Sequence, residues 1–162
     1  MEAAKLEIIV DPARPIITTR RMVAAPRALV FEVFSKPEHI KHWMGPRALE
    51  MVSCEMDLRP GGKWRFVHRA PDGQDFGFHG EFREIDAPAR MVRTFIFEPW
   101  PDAEALETLL LEEKNGKTLI TTTTVHNSME ARDAMLKGGM EAGMTEGYER
   151  LDALLVTMQA AR

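Results

Sequence analysis

The C-terminal stretch GGMEAGMTEGYERLDALLVTMQAAR predicts one long amphipathic helix with two glycines in its interior. At 3.6 residues per turn, its apolar residues recur on one stripe, which should face the rest of the protein. The stripe consists of Leu136, Met140, Met144, Gly147, Leu151, Leu154, Leu155 and Met158, with Gly143 at its margin. A glycine inside a helix costs about 0.8–1 kcal/mol relative to alanine. We therefore expect Gly143 and Gly147 to leave space beneath the helix for a ligand.

The chain before this helix predicts antiparallel strands separated by turns. The turn sequences are RPGG, PDG, DAPAR and NG, at 59–62, 71–73, 86–90 and 115–116. Asn115-Gly116 is the strongest of them, because a two-residue type I′ turn needs a positive φ at both positions. The predicted strands lie near 16–23, 47–57, 63–70, 75–85, 90–97, 105–113 and 117–126.

Helices are predicted in two further places. Two short helices follow the first strand, break near Pro37 and end at Gly45-Pro46. Asn127 or Ser128 should cap a third helix, which Gly138-Gly139 separates from the long one. The resulting order is that of an α+β fold, in which about seven strands bend around a helix as a half-open barrel.

Length and charge favour one ligand-binding domain over 16–162, preceded by an arm or short edge strand over 1–15. A chain of 162 residues can bury a real core. The net charge of −4, with basic residues interspersed among acidic ones, argues against nucleic acid and an anionic membrane surface as partners. With one cysteine, Cys54, no signal peptide and no run of about 18 apolar residues, we expect a soluble cytoplasmic protein rather than an integral membrane protein.

Four ordered motifs resemble one known family. They are HWMGP at 42–46, RPGGKWRF at 59–66, FHGEF at 78–82 and GMEAGMTEGYERLDALL at 139–155. Together they resemble the activator of heat-shock-protein ATPase homologue group of the START-like superfamily, which also contains polyketide cyclases and plant pollen allergens. The resemblance implies a helix-grip fold, with a curved antiparallel sheet of six to seven strands around a long C-terminal helix.

The same resemblance implies an internal cavity that binds lipids, polyketide-like molecules or other small hydrophobic ligands, with enzymes in a minority. The larger co-chaperones of the group carry an additional chaperone-contacting domain. We expect no such domain here, and therefore rank a chaperone partner last. Many members of the superfamily pair with a second copy, so a homodimer is a further expectation.

Alternation along the predicted strands places aromatic residues on the face that should line this cavity. The candidate ligand-binding residues are Met44, Trp64, Phe66, His68, Phe76, Phe78, Phe97, Met140, Gly143, Met144, Gly147 and Tyr148. Gly80 should mark a bend or a bulge that curves its strand over the cavity. Each aromatic residue has the alternative of simply filling the core. The Tyr148 hydroxyl either faces the cavity or bonds a backbone carbonyl.

Catalytic and metal-binding motifs are not found in the sequence. It has no GxSxG, Walker, HExxH or CxxC pattern, and the five histidines are more simply interpreted as surface residues than as metal ligands. We therefore predict no metal, no cofactor and no catalytic set, and a non-catalytic carrier or sensor. The alternative is a cyclase or hydrolase of aromatic polyketide-like substrates that uses His68 or Tyr148, with Arg93 or Glu81 beside His68.

Overall fold

A curved, eight-stranded antiparallel sheet surrounds the C-terminal helix in the computed structural model, which describes residues 4–161. The strands are β1 Glu7–Val10, β2 Ile16–Val23, β3 Glu50–Met56, β4 Lys63–Arg69, β5 Asp75–Asp86, β6 Arg90–Phe97, β7 Ala105–Lys114 and β8 Lys117–His126. The helices are α1 Arg27–Ser35, α2 Pro37–Ile40, α3 Met129–Lys137 and α4 Met140–Ala160. The strand order is β1-β2-β8-β7-β6-β5-β4-β3. The α+β helix-grip architecture expected from the sequence is confirmed.

The structure has eight strands rather than the expected six to seven, because residues 1–15, interpreted as an arm or a short edge strand, contain the edge strand β1. β1 pairs antiparallel with β2 along all four of its residues. The Asp11 carboxylate accepts hydrogen bonds from the amides of Ala13 and Arg14, at 2.8 and 2.9 Å, and so closes the turn between the two strands. Arg132 of α3 donates to the carbonyls of Asp11 and Arg14 at 2.6 and 3.0 Å. The first three residues of the predicted arm, and residue 162 of the predicted domain, lie outside the described residues.

The predicted turns and helix ends are formed by the local chemistry that suggested them. Asn115 and Gly116 both have positive φ, 55° and 77°, and connect β7 to β8. Of the two predicted caps for α3, Ser128 is the one used, since its hydroxyl accepts a hydrogen bond from the Ala131 amide at 3.0 Å. Gly139, with φ 87°, separates α3 from α4.

The core lies between the inner face of the sheet and the helices α1, α2 and α4. Leu151 and Leu155 of α4 are almost fully buried and belong to the same hydrophobic core as Ile120 and Phe82 of the sheet. Full burial of one such apolar side chain contributes about 1.5–3 kcal/mol. The C-terminal half of α4 is thereby fixed, which leaves its N-terminal half beside the open end of the sheet.

Charged residues interrupt the apolar surface of α4, which has 21 residues. Within the part of the chain that the structure describes, no helix combines the length and apolar character needed to cross a membrane.

Candidate functional site

A pocket of about 560 Å³ lies between the inner face of the sheet and the N-terminal half of α4. Inward-facing residues of β2 and of β4 to β8 form its walls, while α3, α4 and the loop 43–46 border it on the opposite side. The exposed residues Trp100 and Gly139 are part of its lining, so the pocket reaches the surface.

Ten of the twelve candidate residues line this pocket. They are Met44, Phe66, His68, Phe78, Phe97, Met140, Gly143, Met144, Gly147 and Tyr148. Trp64 and Phe76 do not line it. Trp64 lies deeper in the core, where its indole Nε1 donates to the Thr94 carbonyl at 3.2 Å. Phe76 lies near the start of β5 and stacks on Phe97, with the ring centroids 6.5 Å apart.

The two glycines of α4 differ in what lies against them. A Cβ at Gly147 would lie 3.3 Å from both the Gly45 nitrogen and the Trp43 carbonyl oxygen. At Gly143 the nearest atom would be Cδ of Pro46, at 3.7 Å. Gly147 therefore brings the loop 43–46 close to the helix. Gly143 leaves space that is mostly open, and both glycines border the pocket.

Arg150 holds the same loop against α4. Its guanidinium donates to the carbonyls of His42 and Gly45 at 2.9 and 3.2 Å. Gly45 has a φ of +96°, and a Cβ there would lie 2.8 Å from Cε1 of His68. The loop is therefore fixed between the helix on one side and the His68 imidazole on the other.

Phenylalanine rings of β5 and β6 form the apolar wall of the pocket. The Phe78 ring centroid lies 5.4 Å from that of Phe95 and 5.1 Å from that of Phe97. Sequence reasoning missed Phe95, although the alternation that singled out Phe97 in RMVRTFIF also places Phe95 on the inner face. On the helix side, Trp43 stacks on Tyr148 with centroids 6.1 Å apart.

The strand β5 is irregular at a position other than the one predicted. Its register with β6 shifts between Phe82 and Glu84, two residues beyond the expected bulge at Gly80. Gly80 is required for another reason, since a Cβ there would lie 1.9 Å from the Thr94 carbonyl oxygen of β6.

An ion pair lies inside the pocket. Arg93 of β6 contacts Oε1 of Glu107 of β7 through Nε at 2.9 Å and Nη2 at 2.8 Å. The Arg93 guanidinium also lies over the Trp64 ring, 4.2 Å from its centroid. Sequence reasoning missed Glu107, although the signal was present. It is a charged residue between the inward positions Ala105 and Leu109 of ALETLLLEEK, and it faces Arg93 across the strands.

Two of the histidines that were interpreted from the sequence as surface residues are buried in the pocket. His68 and His126 are only 6% and 4% exposed. Nδ1 of His68 and Nε2 of His126 are buried and have no hydrogen-bond partner among residues 4–161. Burial lowers the pKa of both imidazoles, and the positive charges of Arg150 and Arg132 lower the pKa of His68 and His126 further. Both rings are therefore neutral at pH 7, and Arg150, rather than Arg93 or Glu81, is the charged group that acts on His68.

Tyr148 is almost fully buried and lines the pocket. Within residues 4–161 its hydroxyl makes no hydrogen bond, so it does not bond a backbone carbonyl of the described chain. Burial and the nearby Glu107 carboxylate raise the pKa of the phenol, which therefore stays protonated and can donate a hydrogen bond.

A second concavity, of about 710 Å³, lies on the outer face of the sheet. Arg83 and Glu84 border it together with Leu106 and Val125, which are 41% and 40% exposed. No helix covers this groove among the described residues, whereas the pocket beneath α4 is lined by sheet, helices and loop. The inner pocket is therefore the stronger candidate for a ligand site.

Comparison with known proteins agrees with this architecture. The sequence profile of the family described as "Activator of Hsp90 ATPase homolog 1-like protein" matches residues 24–156. No curated protein compared with the chain matches it.

Solved structures of bacterial proteins show the same fold. A protein from Rhodobacter sphaeroides is 26% identical with a TM-score of 0.88, and the match covers 94% of this chain and 99% of that one. For protein NE0264 from Nitrosomonas europaea the identity is 26%, the TM-score 0.81 and the coverage 93% and 99%. A protein from Arthrobacter aurescens is 25% identical with a TM-score of 0.82, and the match covers 93% of this chain and 91% of that one. The chain therefore belongs to the family of activator of Hsp90 ATPase homolog 1-like proteins and has its START-like, helix-grip fold.

Proposed function

We propose that the protein binds a small hydrophobic molecule in the pocket between the sheet and α4. The observation that carries this proposal is an open pocket of about 560 Å³ whose walls combine phenylalanine rings with the flexible side chains of Met140 and Met144. Ligand pockets are typically about 300–1,000 Å³ in volume, mostly apolar and provided with a few polar groups. Methionine adapts to irregular apolar shapes, which suits a site that accepts related guests.

The expected affinity is moderate. Each buried methylene group of a guest contributes about 0.8 kcal/mol, so a chain of about eight carbons gains about 6 kcal/mol before the cost of binding. We therefore expect dissociation constants between micromolar and millimolar.

Two measurements test the proposal. Native mass spectrometry of freshly purified protein detects a co-purified molecule and gives the oligomeric state. Titration with N-phenyl-1-naphthylamine, a neutral dye that fluoresces in apolar surroundings, measures binding directly. We expect saturable binding at one site per chain. A folded protein that neither carries a molecule nor binds the dye would contradict the proposal.

A matched pair of variants locates the site. Gly143→Leu should abolish dye binding, because its side chain extends into the pocket beyond the ordinary contact that a Cβ makes with Pro46. Gly143→Ala adds the same Cβ without the bulk and should keep binding. Equal binding by both variants would place the dye elsewhere.

Acid–base catalysis is a second candidate function, favoured by the unpartnered Nδ1 of His68 in the pocket. A neutral imidazole within about 2.6–3.2 Å of a reacting group can take a proton from it. This candidate predicts turnover of aromatic polyketide-like substrates that is lost in His68→Ala or Tyr148→Phe while both variants still fold and bind the dye. Unchanged turnover in both variants would exclude it.

A further inference from the structure

Charge inside the pocket is balanced by the protein itself. Arg93 and Glu107 pair with each other, with side chains only 12% and 22% exposed. Both contacts end on Oε1 of the carboxylate, and Oε2 receives no hydrogen bond from residues 4–161. The pair is neutral as a whole: one carboxylate oxygen lies outside these two contacts, and the guanidinium is engaged by the carboxylate and by the Trp64 ring.

No other cation is available along the described walls. Arg93 is the one arginine or lysine among the lining residues of the described chain. Of the guanidinium groups nearby, Arg21 donates to both oxygens of Asp152 at 3.1 and 2.6 Å. Arg150 is bound to loop carbonyls, and Arg132 to Asp133 and to carbonyls of the β1–β2 turn. A carboxylate inside the pocket would be desolvated without a free positive partner, which is strongly unfavourable.

Neutral hydrogen-bonding groups, by contrast, lack partners. His68 Nδ1 and His126 Nε2 are buried without one, and the Tyr148 hydroxyl is a free donor. Leaving a buried polar atom unsatisfied is costly, and a hydroxyl or carbonyl group of a guest would recover this cost. A neutral imidazole donates or accepts according to its tautomer, so it suits either group. The hydroxyls of Thr19 and Thr122 already bond each other.

We propose that the pocket selects uncharged guests that carry a hydroxyl or carbonyl group, such as alcohols, phenols and ketones, over carboxylates or sulfonates of the same apolar size. This inference rests on the proposed function, because it defines the class of ligand for the same pocket. A guest hydroxyl donates to Glu107 Oε2 or an imidazole nitrogen, and a guest carbonyl accepts from the Tyr148 hydroxyl. An anionic guest instead meets the Glu107 carboxylate.

A pair of dyes with one skeleton tests the charge preference. N-phenyl-1-naphthylamine is neutral, and 8-anilinonaphthalene-1-sulfonate adds one sulfonate to it. Both are titrated into wild-type protein and into Glu107→Gln, which removes the negative charge, keeps the shape and leaves Arg93 unpaired. Comparison of the two proteins cancels the difference in hydrophobicity between the dyes. Only fluorescence that Gly143→Leu abolishes is counted as pocket binding.

We expect wild-type protein to bind the neutral dye at least about tenfold more tightly, and Glu107→Gln to reduce this preference by about tenfold or more. A preference that is absent, or unchanged in the variant, overturns the inference while the proposed function stands. Failure of both dyes to bind folded protein overturns both. Should Glu107→Gln not fold, Thr124→Lys carries the same test, because it adds a positive charge at a half-buried position of the same wall, directly across the strands from Glu107.

A second pair of ligands tests the hydrogen-bonding preference. 1-Naphthol and naphthalene compete against the neutral dye, and hydrophobicity alone favours naphthalene. We expect 1-naphthol to displace the dye at the lower concentration, by up to about tenfold for one good hydrogen bond. Displacement by naphthalene at an equal or lower concentration overturns the inference.

Discussion

The Cβ position of Gly147 lies 3.3 Å from the backbone nitrogen of Gly45, although the two residues belong to elements far apart in the sequence. The carbonyl oxygen of Trp43 is equally close to it. Because these neighbours are backbone atoms, they cannot rotate away as the end of a flexible side chain can. The loop 43–46 therefore packs closely on α4 at Gly147, where the helix has no side chain. This loop borders the pocket.

Alanine at the two glycines of α4 should have opposite effects on stability. Alanine favours a helix over glycine by about 0.8–1 kcal/mol, and at Gly143 the added Cβ meets only an ordinary contact. We expect Gly143→Ala to raise the melting temperature by roughly 2–4 °C. Gly147→Ala should lower it, because the added Cβ pushes against the loop backbone. Thermal unfolding by circular dichroism measures both, and equal stabilisation would show that the loop is not held closely.

Arg150 should control the mobility of the loop 43–46. Arg150→Met removes two hydrogen bonds to loop carbonyls, each with a net contribution of about 0.5–1.5 kcal/mol. We expect faster amide hydrogen exchange in residues 42–46 and faster release of a bound dye. Arg47→Met, at an exposed position of the same segment, is the control and should leave both rates unchanged. Similar exchange and release rates in the two variants would show that Arg150 does not hold the loop in place.

Local signals in the sequence were sufficient for most of the fold. Asn115-Gly116 defined a hairpin because few residues adopt positive φ, and Gly138-Gly139 defined a helix boundary for the same reason. Alternation placed Phe66 and His68 of β4 on the inner face, as the structure has them. The sequence left β1 open as an arm or an edge strand, because four residues ahead of Pro12 carry too short a pattern to distinguish the two.

The site depends on contacts between distant parts of the chain, which local patterns do not specify. The glycines of α4 indicated that space is needed beside the helix, but nothing in the helix tells whether a ligand or the loop 43–46 occupies it. Glu107 became informative only once β6 and β7 were paired, because its partner Arg93 lies on another strand. Sequence alone therefore predicts which faces enclose the pocket better than which polar groups meet inside it.

Trp64 should contribute to stability rather than to ligand binding. Its indole donates to the Thr94 carbonyl and lies beneath Arg93, but it does not line the pocket. We expect Trp64→Phe to lower the free energy of unfolding by about 1–3 kcal/mol, since it removes the hydrogen bond to the Thr94 carbonyl and leaves a small cavity. The dye affinity of the folded variant should equal that of wild type. Phe78→Leu, within the apolar wall, is the comparison and should weaken dye binding. A large loss of dye affinity in Trp64→Phe would show that Trp64 contributes to the binding site.

The buried imidazoles should make stability depend on pH between about 7 and 5. The pKa of His68 and of His126 is lowered from 6.5 in the folded protein, so below 6.5 the unfolded chain binds protons that the folded protein does not. The free energy of unfolding is therefore highest above pH 6.5 and falls as the pH decreases toward the lowered pKa values. The pKa of Glu98, which the Arg65 hydrogen bond lowers to about 2, affects stability only in more acidic solution. Melting temperatures from pH 7.5 to 5 should fall less steeply in His68→Gln than in wild type, and equally steeply in the control His42→Gln, whose residue is exposed. An unchanged slope in His68→Gln would mean that His68 takes up a proton in the folded state as readily as in the unfolded one.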